Sequence, residues 1–199
     1  KRAKTIRITS KNGTDVCYKT EEKFMFDYDG GDFSKPIFGT APGYVNIVPK
    51  VGSMEGTIVF DLLTCADIFQ KEEKITVQMK NGAITQFEGE KEAEKFKAYL
   101  AAFNDPNMYK ISHNMLGFNP SVREMRGEIV EDERVWGGVD FGFGHTSPID
   151  MPPLGQPAKS HFDGVVEKTS IYFDQILIVD QGEVVDQALK RLADKLLHP

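Results

Sequence analysis

Residues 74–89 read KITVQMKNGAITQFEG, and this stretch predicts a β-hairpin. Apolar and polar residues alternate on both sides of Asn81-Gly82, a dipeptide that is the strongest short-range signal for a two-residue hairpin turn. The same pattern occurs in residues 4–20, KTIRITSKNGTDVCYKT, around Asn12-Gly13. Two such hairpins in one chain favour a fold in which strands dominate.

Further strands and two helices are predicted outside the hairpins. The strand-like stretches are YVNIVP (44–49), GTIVFDLLT (56–64) and TSIYFDQILIVDQGEVV (169–185), the last with a turn at 180–182. KEAEKFKAYLAAF (91–103) has apolar residues at helical spacing, and VDQALKRLADKLL (185–197) has the pattern of an amphipathic helix. The predicted class is therefore α+β, a strand-dominated mixed sheet with a few helices.

Residues 104–165 have a different texture. Asn, Pro and Gly interrupt this region repeatedly, and three of the four histidines of the chain lie in it. The stretch is too rich in glycine for ordinary core strands, so loops on a rigid frame are predicted here. Functional sites are often built on such loops.

Composition limits the classes of function. The chain has 199 residues, which fits one large domain or two small ones, and we expect a single catalytic domain over residues 1–199. The formal net charge of −6 argues against a nucleic-acid-binding protein, because no basic stripe offsets it.

Cellular location is predicted from what the sequence contains. No apolar run approaches the ~20 residues that span a bilayer, so we expect no membrane segment. Cys17 and Cys65 lie far apart in no metal-like spacing, which favours two free thiols in a reducing cytoplasm. The first residue is Lys1, so we expect the chain to be the C-terminal part of a longer protein.

The residues SHFD at 160–163 are the first candidate for a metal site. On an extended segment His161 and Asp163 project to the same side, and His113 could join them from another part of the glycine-rich region. Two imidazoles and one carboxylate form the set that leaves three positions of Fe(II) open. A similar set could instead hold Zn(II) or Mn(II) and activate water. The alternatives are a surface hydrogen bond between His161 and Asp163 and a buried structural role for His113.

Three other residues of the region have open roles. His145 follows Gly144 and could be a metal ligand or could simply end a strand. Glu133 and Asp140 could be ligands or acid/base groups, although isolated acids usually lie at the surface.

The order of five segments resembles a known family. The segments are NGTDVCY (12–18), PGYVNIVPKVGSMEGTIVFD (42–61), ISHNMLGFNP (111–120), ERVWGGVDFGFGH (133–145) and SHFD (160–163). In this order they resemble the C-terminal half of the M29, aminopeptidase T-like metalloenzymes. The resemblance implies an M29-like C-terminal catalytic domain that forms a dimer.

The site residues of the peptidases are only partly kept. Tyr44 and His113 stand where the peptidases have glutamates, and Asp140 stands where they have a histidine, whereas His161 and Asp163 match. A two-metal peptidase site is therefore disfavoured. The remaining set of His113, His161 and Asp163 resembles that of the 2,5-dihydroxypyridine 5,6-dioxygenase branch of the family.

These observations predict a mononuclear non-haem Fe(II) dioxygenase that cleaves the ring of a small hydroxylated aromatic or heteroaromatic acid with dioxygen. Tyr44 and His145 are predicted to act as acid/base or orienting groups. The alternatives are a metal-dependent hydrolase, with Glu133 or Asp140 as general base, and a non-catalytic domain that retains the fold.

Overall fold

The computed structural model describes residues 3–32, 34, 41–63, 65 and 73–198. Its strands in chain order are β1 (Thr5–Thr9), β2 (Asp15–Lys19), β3 (Phe26–Asp29), β4 (Tyr44–Ile47), β5 (Glu55–Phe60), β6 (Leu62–Leu63), β7 (Ile75–Lys80), β8 (Ala83–Glu88), β9 (Ile111–Gly117), β10 (Val139–Thr146), β11 (Gln156–Val166), β12 (Ser170–Phe173), β13 (Ile176–Asp180) and β14 (Glu183–Val184). Its α-helices are α1 (Lys91–Ala102), α2 (Ile129–Asp132) and α3 (Gln187–Leu197), and Pro106–Tyr109 forms a 3-10 helix.

The strands form two sheets. The larger sheet has the order β14-β13-β12-β1-β2-β5-β7-β8, and the smaller sheet has the order β3-β4-β9-β10-β11-β6. Every ladder between these named strands is antiparallel, which differs from the expected mixed sheet. The strand-dominated α+β class is confirmed.

Both predicted hairpins are present. β1 pairs with β2, and β7 pairs with β8 in the larger sheet. Asn81 and Gly82 have φ values of 51° and 73°, as a tight hairpin turn with two left-handed positions requires. The predicted turn at 180–182 is also present, with φ values of 48° at Gln181 and 87° at Gly182.

The two sheets and α1 share one hydrophobic core. Phe60 of β5 and Phe96 of α1 meet edge to face at 6.4 Å between ring centroids, and Phe60 meets Phe143 of β10 at 6.2 Å. The ring of Phe143 stacks on that of Phe162 at 5.1 Å. Helix α1 was predicted correctly and buries Ala93, Phe96 and Leu100 in this core.

The prediction of loops over residues 104–165 is wrong for much of that region. It contains β9, β10 and β11, and these strands are the middle of the smaller sheet. Glycines are tolerated in β10 because its large side chains, Phe141 and Phe143, are on the core face, while Gly142 lies on the opposite face beside the ring of His113.

Helix α3 lies at the C-terminal end of the chain, where an amphipathic helix was predicted.

Among the described residues, no helix is both long and apolar enough to cross a membrane. Both cysteines are free thiols, as predicted; Cys17 is exposed, and burial raises the pKa of the Cys65 thiol to about 12.

Candidate metal centre

The candidate centre lies on the face of the smaller sheet that is turned away from the phenylalanine core. His113 of β9 and Asp163 of β11 are both register partners of Gly142 on β10. Facing residues of neighbouring strands project to the same side, so the two side chains flank a position that has no side chain. His161 lies two residues before Asp163 and projects to the same face.

Gly142 makes room for the ring of His113. A Cβ atom at position 142 would lie 2.4 Å from Cε1 and 2.7 Å from both ring nitrogens of His113. No side chain fits there while the ring keeps its position. The sequence signal for this role is the pattern Phe141-Gly142-Phe143, in which a glycine alternates with phenylalanines as in a strand. The sequence analysis instead predicts a loop at this glycine.

The three predicted ligands come together. One donor atom from each of His113, His161 and Asp163 lies within 4.8 Å of the others. Nε2 of His161 lies 3.0 Å from Oδ1 of Asp163, and Nε2 of His113 lies 3.8 Å from the same oxygen. The two imidazole rings are nearly parallel, with an interplanar angle of 15° and a centroid separation of 5.2 Å.

Hydrogen bonds outside the cluster orient His161. Its Nδ1 lies 2.9 Å from the backbone carbonyl oxygen of His145 and donates to it, which turns Nε2 toward Asp163 and His113. The hydroxyl of Ser112 donates to the same carbonyl at 3.1 Å and accepts a 2.6 Å hydrogen bond from Thr146. No local sequence pattern indicates this hydroxyl pair, because Ser and Thr residues occur everywhere in a chain.

Asp140 of β10 lies against this cluster and is completely buried. Its Oδ2 is 3.3 Å from Nε2 of His113, without the geometry of a hydrogen bond. Within the described residues, neither oxygen of Asp140 nor Nε2 of His113 has a hydrogen-bond partner. Of the alternatives left open for Asp140, the surface position is wrong, because β10 is a central strand.

The protonation states of His113 and Asp163 suit a cation. Burial lowers the pKa of His113 to about 4, so the imidazole is neutral near pH 7 and keeps a lone pair for a metal. Burial alone would raise the pKa of Asp163, but the hydrogen bond and the charge of His161 outweigh it and hold this pKa below its ordinary value. Burial also acts to lower the pKa of His161. The hydrogen bond to Asp163 and the negative charge of Asp163 together outweigh burial, so the pKa of His161 is raised.

The pKa values of two further acids, Asp140 and Glu133, are shifted by burial and by the same charges. Burial, followed by the negative charges of Asp163 and Glu133, raises the pKa of Asp140 well above its ordinary value. Burial and the charge of Asp163 raise the pKa of Glu133 to about 7, although Arg134 opposes this. In the metal-free protein the negative charges of these acids repel one another. A bound cation would relieve this repulsion.

The three other predicted site residues lie around the cluster. Glu133 pairs with Arg134, whose guanidinium lies 5.3 Å from the ring centroid of Tyr44. Tyr44 faces Gly117, four residues along β9 from His113, and is thus set back from the ligands by about 13 Å along the strand. The side chain of His145 is exposed, and this residue touches the cluster through its backbone carbonyl.

Comparison with known proteins gives the family. Residues 1–186 match the NicX family, described as 2,5-dihydroxypyridine 5,6-dioxygenase. This chain belongs to the NicX family. The match covers all the strands of both sheets and all the residues of the candidate centre.

Two relatives of this NicX-family chain come from one organism. It is 26% identical over 196 residues to the 2,5-dihydroxypyridine 5,6-dioxygenase of Pseudomonas putida, an alignment covering 93% of this chain and 55% of that protein. The solved structure of 2,5-dihydroxypyridine dioxygenase from Pseudomonas putida superposes with a TM-score of 0.78 at 25% identity, covering 96% of this chain and 57% of that one. The chain therefore spans little more than half the length of the relatives it matches.

The fold is also shared with a solved structure from a second organism. Wild-type AmpT from Thermus thermophilus superposes with a TM-score of 0.68 at 13% identity, over 92% of this chain and 50% of that one. This likeness is one of fold and agrees with the M29-like architecture expected from the sequence.

The residues present fit a single divalent transition metal. Two nitrogens and one carboxylate oxygen converge, and the buried atoms without partners, Nε2 of His113 and both oxygens of Asp140, border the same space. Burying such groups without a compensating partner is costly, and a cation supplies that partner. Ligands on neighbouring positions of a metal with bonds of about 2.1 Å lie about 3.0 Å apart, which is the separation of the His161 and Asp163 donors.

Proposed function

We propose that this chain forms the catalytic domain of a mononuclear non-haem Fe(II) dioxygenase that cleaves the ring of a dihydroxypyridine-like substrate. The observation that supports it most is the convergence of His113, His161 and Asp163 on one face of a central sheet in a NicX-family chain. A single catalytic domain over residues 1–199 fits the core that both sheets share.

His113, His161 and Asp163 would hold the metal. Fe(II) in a site of two histidines and one carboxylate supplies open positions at which an aromatic hydroxyl and dioxygen can meet. Mn(II) or Zn(II) would fit the same donors, so the choice of iron rests on the proposed reaction. The low pKa of His113 keeps its nitrogen available, and the carboxylate of Asp163 offsets part of the positive charge.

The surrounding residues would bind and orient the substrate. The carbonyl of His145 fixes the ring of His161, so we assign the role of His145 to its backbone rather than to its imidazole. Glu133 has a pKa of about 7 and is suited to take up a hydroxyl proton from the substrate and to release it again. Tyr44, with Arg134 over its ring, would form the far wall of the substrate space.

The relatives are named for 2,5-dihydroxypyridine. The proposed substrate is accordingly a small hydroxylated heteroaromatic compound, and dioxygen is the second substrate. The dimer, the cytoplasmic location and the acidic character of the substrate stay predictions from the sequence.

The first experiment tests the reaction. The protein is freed of metal, loaded with Fe(II) under argon, mixed with 2,5-dihydroxypyridine, and then given oxygenated buffer in an oxygen-electrode cell. We expect one dioxygen consumed per ring cleaved, with no uptake after loading with Zn(II). Glu133→Gln should lower the turnover rate by about 10²–10⁴-fold and leave iron content unchanged, because it removes only the proton acceptor.

The outcome that contradicts the proposal is specific. Substrate loss under argon, with Zn(II) or Mn(II) in place of iron, would indicate hydrolysis on the same ligands. Full iron occupancy without oxygen uptake would instead indicate that this domain does not carry the proposed activity.

A further inference from the structure

Asn46 of β4 lies on the same face of the smaller sheet as the metal ligands. It pairs with Met115 of β9, and Met115 in turn pairs with Asp140 of β10. Facing residues in adjacent strands project to one side, so the side chains of Asn46, Met115 and Asp140 form one row. His113 lies two residues before Met115 and is on the same face.

The amide of Asn46 has no partner in the described structure. Its Oδ1 is buried, and no hydrogen bond to it is formed within the described residues. Native proteins pair nearly all such atoms, so an unpaired one that faces a candidate site indicates a missing ligand group. Oδ1 of Asn114 is also without a partner, but Asn114 is the register partner of Phe141 and lies on the core face of β9, whereas Asn46 lies on the face of the ligands.

The spacing between Asn46 and His113 suits an aromatic ring. Asn46 is a diagonal neighbour of His113 across the β4–β9 ladder, and diagonal neighbours on one face lie about 7–8 Å apart. His161 and Asp163 lie farther away, on β11, so a substrate ring would reach the amide only by extending from the metal past His113 toward β4. The side chain of Met115, which is largely buried, lies between them and offers an apolar surface for the ring.

We propose that Asn46 determines substrate specificity by hydrogen-bonding the lactam edge of a hydroxypyridone ring. In its pyridone form, a 2-hydroxypyridine carries an N–H donor next to a C=O acceptor. The amide of Asn46 offers the complementary pair, a carbonyl oxygen that accepts and an NH₂ group that donates. A benzene ring with the same hydroxyl groups has no such edge and leaves the buried oxygen unpaired, which disfavours its binding.

This inference rests on the proposed function, and the experiment separates the two. Protein loaded with Co(II) is titrated under argon, which excludes dioxygen and so prevents turnover, with 2,5-dihydroxypyridine and with its 1-methyl derivative, which cannot donate from the ring nitrogen. We expect the wild type to bind the first about 10- to 100-fold more tightly. In Asn46→Leu this preference should fall to about threefold or less, with Co(II) affinity unchanged.

Two further variants keep the result interpretable. Tyr18→Phe removes another buried polar atom without a partner, in the larger sheet and away from the ligands, so it should keep the wild-type preference. Asn46→Ala also removes the acceptor oxygen and adds no bulk, so it should lose the preference as Asn46→Leu does, and it replaces Asn46→Leu if that variant does not fold.

Two outcomes of the titration would contradict these proposals, and they can be told apart. An unchanged preference in Asn46→Leu overturns the role of Asn46 and leaves the dioxygenase proposal standing. If the Co(II)-loaded wild type binds neither compound, the proposed substrate class is wrong, and the role of Asn46 falls with it.

Discussion

At the level of single residues, the candidate centre depends on Gly142, which lies between His113 and Asp163 in adjacent strands. The imidazole of His113 occupies the volume that any side chain at position 142 would need. A glycine in the middle of a buried strand weakens that strand. At position 142 it also leaves the space in which the ring of His113 lies.

Gly142→Ala should therefore displace the ring of His113 and weaken metal binding by at least ~10-fold, with a cost of about 1–3 kcal/mol in unfolding free energy from overpacking. Isothermal titration with Co(II) and urea denaturation measure the two effects. Gly30→Ala is the matched control, since a Cβ there meets nothing within 4 Å, and it should change neither quantity. Wild-type affinity in Gly142→Ala would mean that His113 is not held in the position described.

Asp140, Ser112 and Thr146 show which parts of the site the sequence could not predict. His113, His161 and Asp163 were found because their residue types and the SHFD spacing point to a metal. For Asp140 the sequence left a role in the site and a surface position both open, and its burial follows only from β10 being a central strand. The hydroxyl pair of Ser112 and Thr146 depends on a register between β9 and β10 that no local pattern contains.

At the level of elements, short-range signals predicted hairpins and helices well. The Asn-Gly turns, α1 and α3 all formed where expected, because each is decided by residues close together in sequence. β9, β10 and β11 were missed because their glycines are explained only by close contacts with residues distant in sequence, such as the ring of His113 at Gly142 and the ring of Phe60 at Gly164. Local propensity disfavours these strands, and packing across the sheet stabilises them.

The hairpin at residues 74–89 gives a prediction at this scale. Gly82 has a φ of 73°, and a Cβ there would lie 3.1 Å from the backbone nitrogen of Gly52. Gly82→Ala should lower the free energy of unfolding by about 1–2 kcal/mol, because alanine pays for the left-handed conformation and for the close contact.

Gly82→Asn makes the same contact but tolerates the left-handed region better, so urea denaturation should rank it between alanine and the wild type. Equal stabilities for all three proteins would contradict the assignment of this turn.

At the level of the whole molecule, the smaller sheet has two faces with separate tasks. One face packs its phenylalanines with the larger sheet and α1, and the other carries the histidines and acids. The chain alternates between these faces residue by residue along β9, β10 and β11. Substitutions of the ligands should therefore leave the core intact, and loss of metal can be measured apart from loss of fold.

The central claim is that His113, which is 48 residues from His161 in the chain, shares one metal with His161 and Asp163. Equilibrium titration of the metal-free protein with Co(II), compared between the wild type and His113→Ala, tests it most directly. We predict one Co(II) per chain in the wild type and at least ~100-fold weaker binding in His113→Ala, with an unchanged circular dichroism spectrum, because one of three ligand bonds is lost. Superimposable titration curves for the two proteins would contradict the account.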